Sequence, residues 1–335
     1  MQRILVIQTA FIGDVVLATG LLEKLHQHFP DSQLDIVVRK GNETLFTAHP
    51  FLHEVLIWDK KQHKYRHLFQ LLKKIRRNKY NLVVNVQRYM ATGFLTAFSG
   101  AKRTIGFNSN PFAFLFTEKI SHDFSGEGDA FHEIQRNHAL IRAITDATAA
   151  KPVLYPSKTD YANIDIYQAK PYICVAPASV WFTKQFPADK WIELIANLPE
   201  TFTIYLLGAP GDFTLCETIQ KATNESVINL AGKLSFLSSA ALMQGATMNY
   251  VNDSAPMHFA SAVNAPVTAI YCSTVPSFGY GPLSDHSYIV QTPVPLSCRP
   301  CGLHGHPQCP EGHFNCAQKI EISQLLENMS SNHSS

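Results

Sequence analysis

The stretch RILVIQTAFIGDVVLATG, residues 3–20, decides the class of fold. It begins with a run of branched apolar residues, which is typical of a strand buried on both faces of a sheet. Over residues 15–28 the apolar positions recur at the spacing of a helix. Gly13 and Asp14 lie in the turn between the two. A strand that leads directly into a helix is the building unit of parallel α/β sheets.

The same alternation recurs along the rest of the 335-residue chain. Apolar runs predict further strands at 34–39, 53–58, 81–86, 172–177, 202–208, 247–252 and 265–272. Helical spacing predicts helices at 65–78, 188–198, 255–263 and from about residue 212. The chain is therefore predicted to be α/β, with two Rossmann-like, doubly wound domains.

The boundary between the domains is predicted from residues 150–170, which have no clear period and contain two prolines. A chain of this length usually exceeds what one hydrophobic core serves. We expect a first domain at 1–155, a second at 156–328 and a disordered polar tail at 329–335.

Composition excludes several classes of protein. Hydrophobic residues make up 46% and charged residues 16% of the chain, so it can bury a large core and is not disordered. No apolar run reaches the roughly 18 residues that span a bilayer. Asp14 interrupts the apolar N-terminus, which argues against a signal peptide. Seven cysteines without a secretion signal indicate a reducing cytosol.

Positive charge is concentrated in residues 60–79, which contain nine Lys or Arg and no Asp or Glu. The simpler interpretation is the solvated face of a helix. The functional interpretation is a surface that meets phosphates, either of lipid headgroups or of an anionic acceptor. Nucleic acid is not favoured, because no recognition motif accompanies the run.

Candidate sites follow the predicted strands, where ligands of such sheets bind. The first contains Asp14, a candidate catalytic base, with Thr9 and Gly13 in the loop before it, which the family resemblance described below implies is the acceptor side. The simpler interpretation is that Asp14 only caps the helix. The second is the loop that contains Ser179 and Lys184, where the lysine either binds a phosphate or only points into solvent.

The third candidate site begins with Asp253 and Ser254, directly after the strand at 247–252. The first-turn N–H groups of the following helix form an anion site that suits a diphosphate. The simpler interpretation is an N-cap by one of these two side chains, with a structural histidine one turn later. The candidate ligand contacts in this helix are Ala255, Met257 and His258, which the family resemblance described below implies are on the donor side.

Several motifs are missing from the sequence. It has neither the phosphate-binding loop of ATPases nor the G-x-G-x-x-G of ordinary dehydrogenases. No two Asp residues have the spacing D-x-D, a common way to hold Mg²⁺ or Mn²⁺ on a nucleotide diphosphate. We therefore expect no metal at the reaction centre, with the diphosphate charge met by Lys184 and a helix N-terminus.

Four segments carry a family resemblance: GDVVLATGLLEKLHQHFP, ASVWFTKQFPADKWIEL, NDSAPMHFASAVNAPVTAIY and CRPCGLHGHPQCPEGHFNC. In this order they resemble glycosyltransferase family 9, the bacterial heptosyltransferases that build the inner core of lipopolysaccharide. The resemblance covers nearly the whole chain. It implies the GT-B fold, in which two Rossmann-like domains face a central cleft.

The resemblance also implies an activity, the inverting transfer of heptose from ADP-heptose to an inner-core sugar of lipopolysaccharide. It implies that Asp14 is the general base, that Lys184 and Asp253 contact the donor, and that Ser179 offers a hydroxyl on the phosphate side. We expect no required cofactor. We expect a cytoplasmic enzyme, peripheral to the inner face of the inner membrane, whose residues 60–79 contact the anionic surface.

Three alternatives stay open at this point. The chain is a family member that uses another nucleotide sugar, a non-catalytic protein that binds nucleotide sugars or polysaccharides, or a GT-B-like epimerase. An epimerase needs acid and base groups on the donor side. The intact set of Asp14, Lys184 and Asp253 argues against loss of catalysis.

The cysteine-rich segment near the C-terminus has two interpretations. Cys298 and Cys301 form a C-x-x-C pair, and Cys309 and Cys316 follow at a looser spacing. The four could hold a structural zinc ion, away from the reaction centre. The simpler interpretation is a structural segment with free thiols.

Overall fold

The structure is a computed structural model that describes residues 2–122 and 132–331. It divides into two compact units, Met1–Tyr155 and Pro156–Ser335. Each unit contains one six-stranded sheet in which all strand pairs are parallel. The α/β class with two doubly wound sheets, predicted from the sequence, is confirmed.

The first unit has the strand order β3-β2-β1-β4-β5-β6. Its described elements are β1 (Arg3–Ile7), α1 (Ile12–His28), β2 (Gln33–Arg39), β3 (Leu52–Trp58), α2 (Lys64–Asn78), β4 (Leu82–Asn85), α3 (Met90–Ala97), β5 (Arg103–Phe107), β6 (Glu118–Ile120) and α4 (Glu133–Ala139). Strand β4 and all of β1 after Arg3 are buried, as apolar strands covered by helices must be. Helix α2 buries Leu68, Leu71 and Ile75 and turns most of its basic side chains outward.

The second unit repeats the arrangement with the order β12-β11-β10-β7-β8-β9. Its described elements are α5 (Lys158–Ala162), β7 (Tyr172–Ala176), α6 (Ala188–Asn197), β8 (Thr203–Leu206), α7 (Phe213–Lys221), β9 (Val227–Asn229), α8 (Phe236–Gln244), β10 (Met248–Asn252), α9 (Ala255–Ala262), β11 (Val267–Tyr271), β12 (Ser287–Gln291), α10 (Asn315–Gln318) and α11 (Ile322–Ser331). Its core contains the buried side chains of Ile173, Trp191 and Tyr250.

Each sheet has one point where the direction of winding reverses. In the first unit β1 lies beside β4, and in the second β7 lies beside β10. The connections on the two sides of such a pair leave in opposite directions, so a crevice opens beyond the carboxyl ends of the two strands. These crevices are where ligands are expected in sheets of this kind.

Some elements differ from the sequence-based predictions. Helix α1 begins at Ile12, three residues before the predicted start. The predicted connection at 150–170 contains α5, because the side chains of Ser157 and Asp160 form a capping box at its start. In the predicted tail, α11 continues to Ser331 and its Met329 packs against the core, whereas residues 332–335 lie outside the described residues.

No helix in residues 2–122 and 132–331 is both long and apolar enough to cross a membrane.

Candidate functional site

Asp14 lies in the first turn of α1, directly beyond the carboxyl end of β1. The residue at the N-cap is Phe11, whose side chain cannot cap the helix. The backbone N–H groups of Phe11 and of Asp14 itself stabilise the carboxylate instead. Asp14 is the third residue of the helix, and a carboxylate at this position that accepts from the N-cap N–H is one of the two interactions of a capping box. The predicted capping role of Asp14 therefore has a structural basis.

The electrostatic environment of Asp14 differs from the one expected for a helix N-terminus. Burial and the nearby carboxylate of Glu133 raise the pKa of Asp14 to about 6, against the lowering effects of the backbone N–H groups and Arg39. The dipole of the helix, taken alone, would lower this pKa, so its direction comes from the tertiary surroundings. Glu133 is itself buried and forms an ion pair of 2.8 Å with Arg136. A carboxyl group with a pKa near neutrality is suited to accept a proton.

The crevice of the first unit brings Thr9 together with Gln87. The hydroxyl of Thr9 donates to Oε1 of Gln87 over 2.6 Å, and its backbone N–H donates to the same oxygen over 3.2 Å. Gly13 lies in the first turn of α1 beside Asp14. The buried Thr9 thus joins the segment after β1 to the segment after β4. Its hydroxyl already donates a hydrogen bond within the protein.

The crevice of the second unit brings Lys184 together with Asp253. The Nζ atom of Lys184 lies 2.7 Å from Oδ2 of Asp253. The hydroxyl of Thr274, which follows β11, donates to the same oxygen over 2.6 Å. Both members of the ion pair are largely buried. Two residues that are 69 positions apart in sequence therefore form one charged pair beside the switch point.

The Lys184 loop is held to the end of β10 by Asn252. Its amide Nδ2 donates to the carbonyl of Pro177 over 2.8 Å, and its Oδ1 accepts from the N–H of Phe186 over 2.9 Å. The carbonyl of Ser179 accepts from the side-chain amide of Gln185 over 2.6 Å. These bonds hold the loop against the crevice, and Lys184 does not simply point into solvent.

The start of α9 differs from its prediction in several details. Ser254 occupies the N-cap position, yet its hydroxyl makes no capping bond. Pro256 has no N–H, and the N–H of Met257 already donates to the carbonyl of Ser254. The first turn thus has fewer N–H groups for an anion than predicted.

The next two side chains of α9 are buried. Met257 lies in the core, where its sulfur accepts from the hydroxyl of Tyr271. His258 is also buried. Ala255, the first residue of α9, is partly exposed.

The cysteine-rich segment lies against the Lys184 loop. The hydroxyl of Thr183 accepts from the N–H of His306 over 2.7 Å, and from the hydroxyl of Ser273 over 3.1 Å. The N–H of Cys301 donates to the carbonyl of Ser273 over 2.8 Å. Arg299 donates to the carbonyls of Cys272 and two neighbouring residues at the end of β11. The segment therefore supports the loop that contains Lys184.

The structural zinc ion raised for the four cysteines of this segment stays a prediction. Within the described ranges, no group of three or more His, Cys, Asp or Glu side chains converges as metal ligands. Cys298, Cys301 and Cys309 are half-buried thiols, and Cys316 is buried.

The comparisons with known proteins decide the family. The model of glycosyltransferase family 9 (heptosyltransferase) matches residues 68–308. The chain belongs to this family. It is 25% identical over 314 residues to lipooligosaccharide heptosyltransferase 2 of Haemophilus ducreyi, which covers 87% of this chain and 88% of that protein.

Solved structures of similar proteins confirm the GT-B fold of this glycosyltransferase. The glycosyl transferase family 9 structure from Veillonella parvula matches with a TM-score of 0.86 at 20% identity, covering 99% of this chain and 97% of that chain. The E. coli ADP-heptose lps heptosyltransferase II matches with a TM-score of 0.81 at 20% identity, covering 99% of this chain and 98% of that chain.

Several residues of this glycosyltransferase's candidate site were missed by the sequence-based predictions. Glu133 and Arg136 belong to a short helix that the apolar pattern did not reveal. Thr274 follows β11 and donates to Asp253, and Arg299 donates to carbonyls at the end of β11. The sequence did not indicate that the end of β11 lies beside Asp253. The sequence does show polar residues after the apolar strands, and these could have drawn attention to Thr274. Such residues do not indicate which strands are neighbours in the sheet.

Proposed function

We propose that this glycosyltransferase transfers a heptose from ADP-heptose, with inversion, to an inner-core sugar of lipopolysaccharide. Membership in family 9 supports the class of reaction. The names of its similar proteins support the substrates, since one is an ADP-heptose lps heptosyltransferase and another a lipooligosaccharide heptosyltransferase. ADP-heptose and the acceptor are proposals for this chain.

The observation that carries the proposal is the ion pair between Lys184 and Asp253 at the crevice of the second unit. An ammonium group has three donors, so Lys184 can keep Asp253 and also bind an oxygen of the diphosphate. Both bonds to Asp253 use Oδ2. We assign Oδ1 to a hydroxyl of the donor sugar. The crevice thus has a cation for the leaving group and a carboxylate for the sugar.

The base of the reaction is proposed to be Asp14. The acceptor oxygen attacks the anomeric carbon on the face opposite the diphosphate, and the bond to the diphosphate breaks as the new bond forms. Asp14 takes the proton of the acceptor hydroxyl. Its raised pKa supports this role, because a carboxylate of pKa about 6 is a stronger base than an ordinary one and is still ionised at pH 7.

No cofactor is included in the proposal. The missing D-x-D pair leaves the diphosphate charge to Lys184 and to the N–H groups that remain at the start of α9. In this arrangement the developing negative charge of ADP is stabilised by the protein's own groups.

We also propose that the enzyme works in the cytoplasm, at the inner face of the inner membrane. The basic residues of 60–79 support this location. Lys73, Arg77 and Lys79 are exposed, and each cation near an anionic bilayer contributes roughly 1 kcal/mol. Replacing these three by Gln should therefore weaken binding to phosphatidylglycerol vesicles and make it less sensitive to salt.

The donor is tested by comparing ADP, UDP and GDP in thermal shift and calorimetry, followed by transfer assays with ADP-heptose and a deacylated inner-core acceptor. ADP should stabilise the protein most, by mass action. Preference for UDP or GDP would support another nucleotide sugar. Binding of ADP without any transfer to competent acceptors would support the non-catalytic alternative.

A further inference from the structure

The first unit contains a cavity of about 680 Å³ beside the start of α1, a volume in the range of small-molecule sites. It opens beyond the ends of β1, β2 and β3 and is bounded by α2 and α3. Its walls are apolar: the main contributors are Trp58, Leu68, Phe69, Met90, Phe94 and Phe112. A cavity with such walls is built for an apolar occupant.

The two threonine hydroxyl groups of this wall are already used within the protein. The hydroxyl of Thr9 donates to Gln87, and the hydroxyl of Thr92 donates to the carbonyl of Tyr89 over 2.9 Å. A sugar ring needs several donors and acceptors from the wall that binds it, because its hydroxyl groups lose their water. The wall therefore fits a hydrocarbon chain better than a saccharide.

Three cations surround the cavity, and none of the described residues that line it has a carboxylate. Lys60 donates to the carbonyl of Thr9 over 2.7 Å and lies 4.7 Å from the centre of the Trp58 ring. Burial, together with Arg39 and Lys64, lowers the pKa of Lys60 to about 8. An anion between these cations would relieve their mutual repulsion.

The rim of the cavity consists of large apolar side chains in contact with solvent. Phe11, Tyr65, Phe69, Tyr89 and Met90 all line the cavity, and each is 60% or more exposed. Exposed apolar clusters of this kind mark interaction surfaces. Aromatic residues beside lysines and arginines are typical of proteins that lie in the membrane interface.

We propose that this cavity binds one acyl chain of an anionic membrane lipid, whose phosphate lies between Lys60, Arg39 and Lys64. The exposed rim enters the headgroup region, and the chain leaves the bilayer to occupy the apolar interior. The proposal deepens the membrane contact proposed above, and its test uses neither donor nor acceptor, so it fails or holds separately from sugar transfer.

The experiment is a calorimetric titration with octyl, decyl and dodecyl phosphate, each below its critical micelle concentration and without donor or acceptor. Burial of a methylene group changes affinity by about fourfold, so each step of two methylenes should tighten binding by roughly 15-fold. Dodecyl maltoside, with the same chain and a neutral head, should bind roughly tenfold more weakly or worse.

Three variants locate the binding. Ala91→Phe fills the cavity and should abolish binding, whereas Ala97→Phe on the same helix, outside the lining, should not. Phe69→Ser changes an exposed rim residue, so it should fold normally and weaken binding. Ala91→Phe should also weaken binding to phosphatidylglycerol vesicles relative to Ala97→Phe.

Two results would overturn the proposal. One is an affinity that does not depend on chain length or on the charge of the head, although the protein still binds anionic vesicles. That result would leave the membrane contact and remove the lipid site. The other is that a deacylated inner-core saccharide binds the wild-type protein but not Ala91→Phe, while alkyl phosphates bind neither protein. That result would assign the cavity to the sugars of the acceptor.

Discussion

Replacing Asp14 by Asn should make the protein more stable at pH 7 and almost inactive. The pKa of Asp14 is raised from 3.8 to about 6, a change of about 2 units. Each unit corresponds to about 1.4 kcal/mol, so the ionised carboxylate costs up to about 3 kcal/mol of folding free energy. Because the side chain is only half-buried, solvent screening reduces this, and we expect about 1–2 kcal/mol.

The sign of the effect depends on pH. The folded state binds the proton of Asp14 more tightly than the unfolded state does, so this group contributes no penalty below pH 3.8. The penalty develops as the pH rises through the window from 3.8 to about 6 and is complete above it. Asn cannot ionise, and its side-chain oxygen still accepts from the N–H of Phe11. The difference in stability between the variant and the wild type should therefore grow between pH 4 and pH 7.

The measurement is denaturant unfolding of both proteins at pH 4, 5, 6 and 7, with Asp189→Asn as the control. Asp189 is an exposed carboxylate in the first turn of α6. Asp189→Asn loses a favourable contact with the helix dipole and should be less stable than the wild type at pH 7. Asp14→Asn removes an unfavourable charge and should be more stable than the wild type at the same pH. If Asp14→Asn is less stable than the wild type at pH 7, the claim that burial dominates the pKa of Asp14 is refuted.

The same variant tests the catalytic role separately. The kcat of Asp14→Asn should fall by about 10²–10⁴-fold, with little change in the affinity for ADP. In the wild type, kcat/KM should fall below pH about 6, as the base becomes protonated. A variant that gains stability but keeps its kcat would show that Asp14 is a buried cap and not the base.

Further predictions concern the neighbours of these groups. Glu133→Gln should lower the pKa of Asp14, so the acid limb of kcat/KM should move below pH 6; a profile that does not move would separate Glu133 from the base. Lys184→Gln should weaken ADP binding by about 10- to 100-fold in calorimetry, since a charged hydrogen bond to phosphate is worth about 1.5–3 kcal/mol. It should also lower the melting temperature, and adding Asp253→Asn should restore it, because the unpaired charge is then gone. Transfer should continue in EDTA; activity that vanishes with the chelator and returns with Mg²⁺ would refute the metal-free proposal.

The sequence alone determined the class of fold and the places where sites could lie. The runs ILVI of β1 and YICVA of β7 are apolar, because a parallel strand is covered on both faces. Helix α2 follows its predicted span to within a residue, since its apolar positions report one buried face. Asp253 directly after β10, and Asp14 at the start of the helix that follows β1, stand out against the apolar pattern. These signals are local, and each is contained within a few turns of chain.

Only the tertiary structure decided which of these residues act together. Periodicity tells which face of a strand is buried, but not which strand lies beside it, because the backbone edges of parallel strands are alike. The neighbouring positions of β7 and β10 make Lys184 and Asp253 an ion pair, and those of β1 and β4 join Thr9 to Gln87. The pKa of Asp14 depends on burial and on Glu133, 119 residues away, so a charge in the first turn of a helix gave the wrong direction when considered alone.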